Sequence, residues 1–284
     1  MSKFYQPTNK LSLKKALALK DENTLMVAGA TDVMVEIRQK NIFDKDFIDL
    51  TKLKGFEFIK DYKTKVEIGS ITKIQDIADS SVIREFFPSL SFASRHIGSR
   101  QIRNRATIGG NVANASQSAD TIPVLCALKA SVVLFNSKGE ERTLLVEDFV
   151  QGRGKTAIQD DEAVYKFIIP KISKYNYFAK LGSRKEVTIS KINCSMMFEV
   201  KDEVIVNSSI YLGAIGVKPV RGELFEEYFN NKIISYIDLD YLFKLGYDTV
   251  ENAIPNRQSK YYKRKAVCGV IDDIVTKLRC NHEI

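Results

Sequence analysis

Tryptophan is absent from the 284 residues, histidine occurs twice and cysteine four times. With His96 and His282 alone there is no Ser/His/Asp set and no H-E-x-x-H run, so triad hydrolysis and histidine-based metal catalysis lack their parts, and neither a catalytic residue nor a metal site of the chain's own is expected. Cys126, Cys194, Cys268 and Cys280 stand far apart, without the tight spacing of zinc or iron–sulfur sites; they read as reduced thiols of a cytoplasmic protein. No apolar run reaches the roughly 18 residues of a membrane span, and the start, Met1-Ser2-Lys3-Phe4-Tyr5, has no apolar signal segment. Complete glycine fingerprints for nucleotides are missing too. Gly152-Arg153-Gly154-Lys155-Thr156 resembles the tail of a P-loop, but Phe149 stands where its leading glycine belongs, and Gly29 lacks the second and third glycines of G-x-G-x-x-G. Acidic residues are outnumbered, 35 against 43 Lys and Arg. The resulting charge of +8 favours acidic partners, and because the cations are scattered without a helix-turn-helix or finger pattern, the expected partner is protein and not nucleic acid.

What is present is enough chain for a sizeable core, in two domains or one two-part domain with an appendage. Its most unusual stretch runs from Ala106 to Asp120, where Gly109 and Gly110 are followed by Asn111, Asn114, Ser116, Ser118 and Asp120. Glycines allow positive φ and close approach of a ligand to backbone N–H groups, while Thr107 and the polar side chains after it offer hydroxyl, amide and carboxylate partners. The run Pro123–Leu128 reads as a buried helix beneath. Two readings stand: a cradle for a polar ligand, or a surface turn whose Asn and Ser cap local backbone. Earlier, the apolar strand Thr24–Ala28 enters Gly29 and then a helix from Val33 to Gln39, with Thr31 or Asp32 expected as its cap. Strand, glycine and helix N-terminus together make an anion site.

The remaining pattern is mixed. A helix over 12–19 turns Leu13, Ala16 and Leu17 inward. Strands are expected at Phe47–Leu50, Phe56–Ile59 and Lys65–Gly69, the last two as a hairpin around 61–64. Thr72-Lys73-Ile74-Gln75 matches a capping box ahead of a helix burying Ile74, Ile77 and Ala78. A helix around 90–97 leads into Arg95, Arg100, Arg103 and Arg105, mostly solvated cations. A hairpin joins 131–135 to 142–146; strands 193–200 and 205–212 follow, and a last helix covers 258–278, with Tyr261-Tyr262-Lys263-Arg264 read as ordinary amphipathic packing.

Ala28-Gly29-Ala30-Thr31-Asp32, then Ala106–Asn111 with Ser116, Ser118 and Asp120, then Glu162–Pro170, then Lys180 with Ser183-Arg184, follow one another as in the FAD-binding subunits of the molybdenum hydroxylases, the family of xanthine, carbon monoxide and nicotinate dehydrogenases. The chain resembles that family over nearly its whole length. The resemblance implies an α+β fold: a two-part FAD-binding domain of the vanillyl-alcohol-oxidase (PCMH) type over residues 1–171, with subdomains about 1–55 and 56–171, and a smaller α+β domain of three strands plus helices over 172–284 that docks other subunits. It implies that Val27, Ala28, Gly29, Ala30, Thr31, Asp32 and Val33 cradle the FAD pyrophosphate. It further implies that Ile97, Thr107, Gly109, Gly110, Asn111, Asn114, Ser116, Asp120 and Val164 surround the cofactor, and that Lys180 reaches the isoalloxazine ring. In such a protein FAD takes electrons from a partner's [2Fe-2S] clusters and passes hydride to NAD, while a molybdopterin-bearing large subunit oxidises the substrate, here a purine such as xanthine or a related N-heterocycle. Ala30 stands where relatives carry a second glycine, Val187-Thr188-Ile189-Ser190 departs from their pattern, and no cysteine-bearing insertion is present. Two alternatives remain: a stand-alone flavin oxidase or reductase of the same fold, which would carry its own substrate cap, and a binding module without flavin.

Overall fold

The computed structural model describes residues 2–41 and 44–281; Met1 and His282 lie outside them. A small parallel sheet in the order β1-β3-β2 opens the chain, made of β1 (Phe4–Tyr5), β2 (Thr24–Val27) and β3 (Asp46–Asp49), with α1 (Lys10–Ala18) and α2 (Val33–Lys40) as crossovers. Asn9 caps α1 by accepting the Ser12 N–H at 2.9 Å, and Ser12 Oγ accepts the Asn9 N–H at 3.1 Å. That reciprocal cap lets α1 bury Leu13, Ala16 and Leu17 against Ile48, Leu53 and Phe56.

An antiparallel sheet follows in the order β4-β5-β10-β6-β7, from β4 (Ile59–Asp61), β5 (Lys65–Gly69), β6 (Ser131–Asn136), β7 (Glu141–Leu145) and β10 (Glu162–Pro170). Between β5 and β6 run α3 (Ile74–Asp79), α4 (Ser81–Phe86), α5 (Pro88–Arg95), α6 (Arg100–Arg103), α7 (Ile108–Ala113) and α8 (Thr121–Ala127); α9 (Val146–Phe149), β8 (Val150–Gly152) and β9 (Lys155–Thr156) precede β10. Every residue of α8 is buried. Two expectations fail here for one reason. The Thr72 hydroxyl donates to Phe58 O at 3.0 Å and accepts the Phe58 N–H at 3.1 Å. It is therefore unavailable as a helix cap, and α3 instead begins with the Ile74 N–H on Ala106 O at 2.9 Å. Phe56–Phe58 likewise lose regular strand pairing, although Phe58 O and Phe56 O still accept the Gly69 and Ile71 N–H groups at 2.9 and 3.0 Å, so the strand starts only at Ile59.

The C-terminal sheet runs β11-β12-β13-β14, from the long strands β11 (Tyr175–Leu181), β12 (Ile192–Lys201) and β13 (Val204–Gly213) and the short β14 (Val220–Arg221); β15 (Lys232–Ile233) also pairs with β13. Helices α10 (Glu223–Phe229), α11 (Leu239–Ala253) and α12 (Lys260–Cys280) cover one face. The packing of α12 is amphipathic as expected, burying Val267, Val270, Ile271, Ile274, Val275 and Leu278, with Tyr261 and Tyr262 on the exposed side and the Arg264 guanidinium 4.7 Å from the Tyr247 ring centre and 4.8 Å from that of Tyr261. Alternation along β12 divides its side chains between two cores. Cys194, Met196 and Phe198 join Leu242, Ile271 and Ile274 on one face, while Met197 joins Leu90, Val124 and Leu125 of α5 and α8 on the other. Asn176 of β11 ties the same two halves: its Oδ1 accepts the Ser89 N–H at 3.0 Å and hydroxyl at 2.6 Å, and its Nδ2 donates to Phe86 O and Ser173 O, both at 3.0 Å. The buried amide is thereby fully paired.

Phe198 is fully buried and meets the Phe229 ring edge-on at 4.9 Å. Phe198→Ala is expected to cost about 3–5 kcal/mol of unfolding free energy and Phe198→Leu roughly half as much, measured by equilibrium urea denaturation.

Candidate functional site

A cavity of 330 Å³ opens between the β2–α2 loop and α7. Gly29 is required by close approach: a Cβ there would stand 2.1 Å from Arg105 O. Ala30 then takes φ 61°, the left-handed angle, which costs an alanine about 1–2 kcal/mol and a glycine almost nothing. The alanine at this position thus adds strain to the turn. Asp32 occupies the N-cap position of α2 but makes no side-chain cap bond, so the expected Thr31 or Asp32 cap is not formed. Its φ of −101° and ψ of −48° are helical, whereas a capping side chain works from extended backbone. In consequence, the N–H groups of Gly29, Ala30, Thr31 and Asp32 have no acceptor among the described residues. Grouped at the start of α2, they form a positive concavity.

The facing wall is built differently from expectation. Gly109 and Gly110 lie inside α7 and neither has positive φ. Their glycine character answers crowding and space: a Cβ on Gly109 would stand 2.6 Å from Ser70 O, whereas one on Gly110 would meet nothing but Thr107 Oγ1, at 3.0 Å, and project toward the cavity. Thr107 caps α7 by accepting the Gly110 N–H at 3.1 Å, and the Ile108 and Gly109 N–H groups are taken by Thr72 O and Ser70 O. This wall therefore offers side chains and not backbone donors. Asn111 accepts a hydrogen bond from the Thr121 hydroxyl, which leaves its Nδ2 for the cavity, and Asn114 lines the same space. An adjoining hollow of 80 Å³ is lined by Met26, Ala28, Gly109, Ile158, Val164 and the buried Ser70, whose Oγ has no partner. Ser70 and Ile158 carried no sequence signal, since each stands in a loop that reaches the site only through tertiary packing.

Val27 to Val33, Thr107, Gly110, Asn111 and Asn114 thus surround one cavity, with Gly109 and Val164 at the hollow beside it. Ser116, Asp120, Ile97 and Lys180 do not line it. Ser116 is exposed, and Ile97 packs on the core while its carbonyl accepts from Arg103 Nη1 at 3.2 Å. Arg103 departs from the solvated reading: Nε donates to Gln75 Oε1 at 2.8 Å, and burial, then the charge of Arg100, holds its pKa below the usual guanidinium value. Asp120 and Lys180 are buried and joined at 2.7 Å. Lys180 borders a second cavity, of 400 Å³, with Phe92, His96, Arg184 and Lys277. Among the described residues no group of three or more His, Cys, Asp and Glu is placed to hold a metal, and no helix is long and apolar enough to cross a membrane.

Residues 1–172 match the family model described as the FAD binding domain in molybdopterin dehydrogenase. The chain belongs to that family. It is 31% identical over 274 residues to the nicotinate dehydrogenase FAD-subunit of Eubacterium barkeri, covering 92% of each chain. It is 25% identical to the xanthine dehydrogenase FAD-binding subunit of Escherichia coli O157:H7, over 89% of this chain and 87% of that one. The fold is shared with quinoline 2-oxidoreductase from Pseudomonas putida 86, at a TM-score of 0.88, 17% identity and coverage of 98% and 96%. The chain is accordingly an FAD subunit of the molybdenum-hydroxylase type, part of an oxidoreductase.

The cradle geometry separates three substitutions in the ligand-free chain. Gly109→Ala is expected to destabilise by about 2 kcal/mol or more through its backbone clash, while Gly110→Ala stays within about 1 kcal/mol of the parent. Ala30→Gly, by releasing the left-handed strain, is expected to gain about 1 kcal/mol. Urea midpoints of the three variants measure all of these.

Proposed function

We propose that this chain binds FAD noncovalently and serves as the electron-transfer subunit between a partner's iron–sulfur clusters and NAD. The observation that carries the reading is the set of unpaired N–H groups at Gly29–Asp32 facing a wall on which Gly110 presents no Cβ. Those donors match the charge of a pyrophosphate, and the space over Gly110 admits its close approach. Val27, Ala28 and Val33 complete this end of the cradle; Asn111 and Asn114 hold hydroxyl or carbonyl groups of the cofactor from the opposite side. Ile97, Ser116, Asp120 and Lys180 belong to the far end, toward the flavin ring. Bound there, FAD supplies redox chemistry able to exchange single electrons with clusters and hydride with a nicotinamide.

The division of labour follows from what the chain carries. Its cysteines are separate, two of them buried, and burial pushes the thiols of Cys126 and Cys194 up, so the clusters belong to an iron–sulfur small subunit. Molybdopterin belongs to a large subunit that oxidises the substrate, an N-heterocycle such as a purine or pyridine; relatives named for nicotinate and xanthine support that class. Residues 172–284 form the docking unit, and the complex works in the cytoplasm. A stand-alone oxidase has less support, because the chain matches, over 92% of both lengths, a relative that is itself named a subunit.

The full chain purified with FAD is expected to be yellow and to release all flavin into the filtrate on denaturation. It is expected to reduce an artificial dye with NADH yet oxidise neither nicotinate nor xanthine until both partner subunits are added. Gly110→Val, which fills the cradle, is expected to bind no FAD, while Gly139→Val, in a remote hairpin turn, binds it as the parent does. Heterocycle oxidation by the chain alone, or equal flavin content in Gly110→Val, would overturn the reading.

A further inference from the structure

A cavity of 780 Å³ lies in the C-terminal half, between residues 216–224, which include β14, and residues 249–257 at the turn from α11 into α12. It shares no residue with the 330 Å³ cavity beside α7. Its volume is that of a site able to enclose a small molecule. The walls are largely aliphatic, from Val217, Pro219, Val220, Leu224, Ile254 and Pro255. Val217 and Leu224 are 52% and 50% exposed, so apolar surface that gains from being covered stands in water at the mouth.

The charges at this cavity are unbalanced. Lys218 and Arg257 line it, and Lys263 lies close by with its ammonium donating to Ala214 O. Among the described residues none of these three cations forms an ion pair. Burial, and after it the charge of Arg257, holds Lys263 below the usual ammonium value, the mark of a positive region that the protein leaves uncompensated. Arg221, by contrast, is answered by Glu226 at 3.0 Å. Across a small hollow from Lys218, Glu147 is engaged by the Tyr211 hydroxyl, and Asp148 beside it pairs with no cation. The side chains of Asn252 and Asn256, also in the wall, and the N–H groups of Gly216, Val217 and Lys218 have no hydrogen-bond partner among the described residues.

We propose that this cavity binds a small organic monoanion with an apolar body, its carboxylate held by Lys218 and Arg257 and its body laid on Val217, Leu224 and Ile254. Aliphatic walls cannot balance a charge, and free cations gain nothing from an alkane; an amphiphilic anion answers both. With two free cations and one free carboxylate, Glu223, in the wall, the cavity calls for a single negative charge. Hydrogen bonds from an ammonium and a guanidinium to a carboxylate are of the strong, charge-assisted kind, Asn252 and Asn256 add neutral donors, and each buried CH₂ raises affinity about fourfold. The inference is independent of the FAD reading.

The test titrates octanoate, and octanol as its uncharged counterpart, into the full chain by isothermal calorimetry. One octanoate is expected to bind per chain, at least about tenfold more tightly than octanol. In the double variant Lys218→Gln/Arg257→Gln, octanoate is expected to weaken about tenfold or more while octanol changes by less than about threefold. Asn252→Trp, which sets an indole in the cavity from an exposed position of α11, is expected to abolish binding of both, with the urea midpoint of the parent retained. Saturating FAD is expected to leave the octanoate constant unchanged, because the two cavities have no residue in common; a chain that takes octanoate and not FAD supports this site and overturns the FAD reading alone. Equal affinity for octanoate and octanol in the parent, or undiminished octanoate binding in both variants, would overturn the proposal. Loss of octanoate binding on assembly with partner subunits would overturn it too, by making the cavity the seat of a partner's segment.

Discussion

A carboxylate in the interior of a protein must find a cation or lose its charge, and much of this structure is arranged around that requirement at Asp120. Its position just before α8 places the charge where the N-terminal half meets the C-terminal sheet. Lys180 arrives from β11, and Ser190 and Asn193 arrive from the segment leading into β12. Because the partners come from separate stretches of chain, the ion pair fixes how the two halves sit together. Asn176 and Ser89 repeat the arrangement without charge on the same boundary. The cavity between the β2–α2 loop and α7 is lined wholly by the N-terminal half, on the far side of α7 from that boundary.

The two walls of the cradle solve different problems. On the β2–α2 side the chain leaves its N–H groups unspent and omits the cap that a helix start ordinarily has. On the α7 side those groups are spent, on Ser70, Thr72 and Thr107, and glycine serves to remove side chains from contested volume. Glycine at 109 permits close contact with Ser70; glycine at 110 leaves its side of the cavity open.

Much of this was legible before the structure. Alternating apolar residues gave away the strands of the C-terminal sheet and the hairpin 131–145, since a period of two survives in any context that buries one face. The cradle segments were visible because short polar residues and glycines are rarely crowded together without cause. The errors came where a side chain had a stronger claim on it than the local rule assumed. Thr72 has the spacing of a cap, yet its hydroxyl is held by Phe58, fourteen residues earlier. Gly109 and Gly110 suggested unusual angles, but close packing on Ser70 and open space explain them. No local pattern announces that Lys180 and Asp120 meet across sixty residues, because that distance is closed by the fold.

Strand β12 shows what the shared boundary means for the molecule as a whole. Its odd and even residues are committed to different cores, so neither core is complete while the strand is out of place. Two hydrophobic interiors that use one wall lose it together. The two halves, distinct to the eye, are therefore expected to melt as one cooperative unit under heat or denaturant.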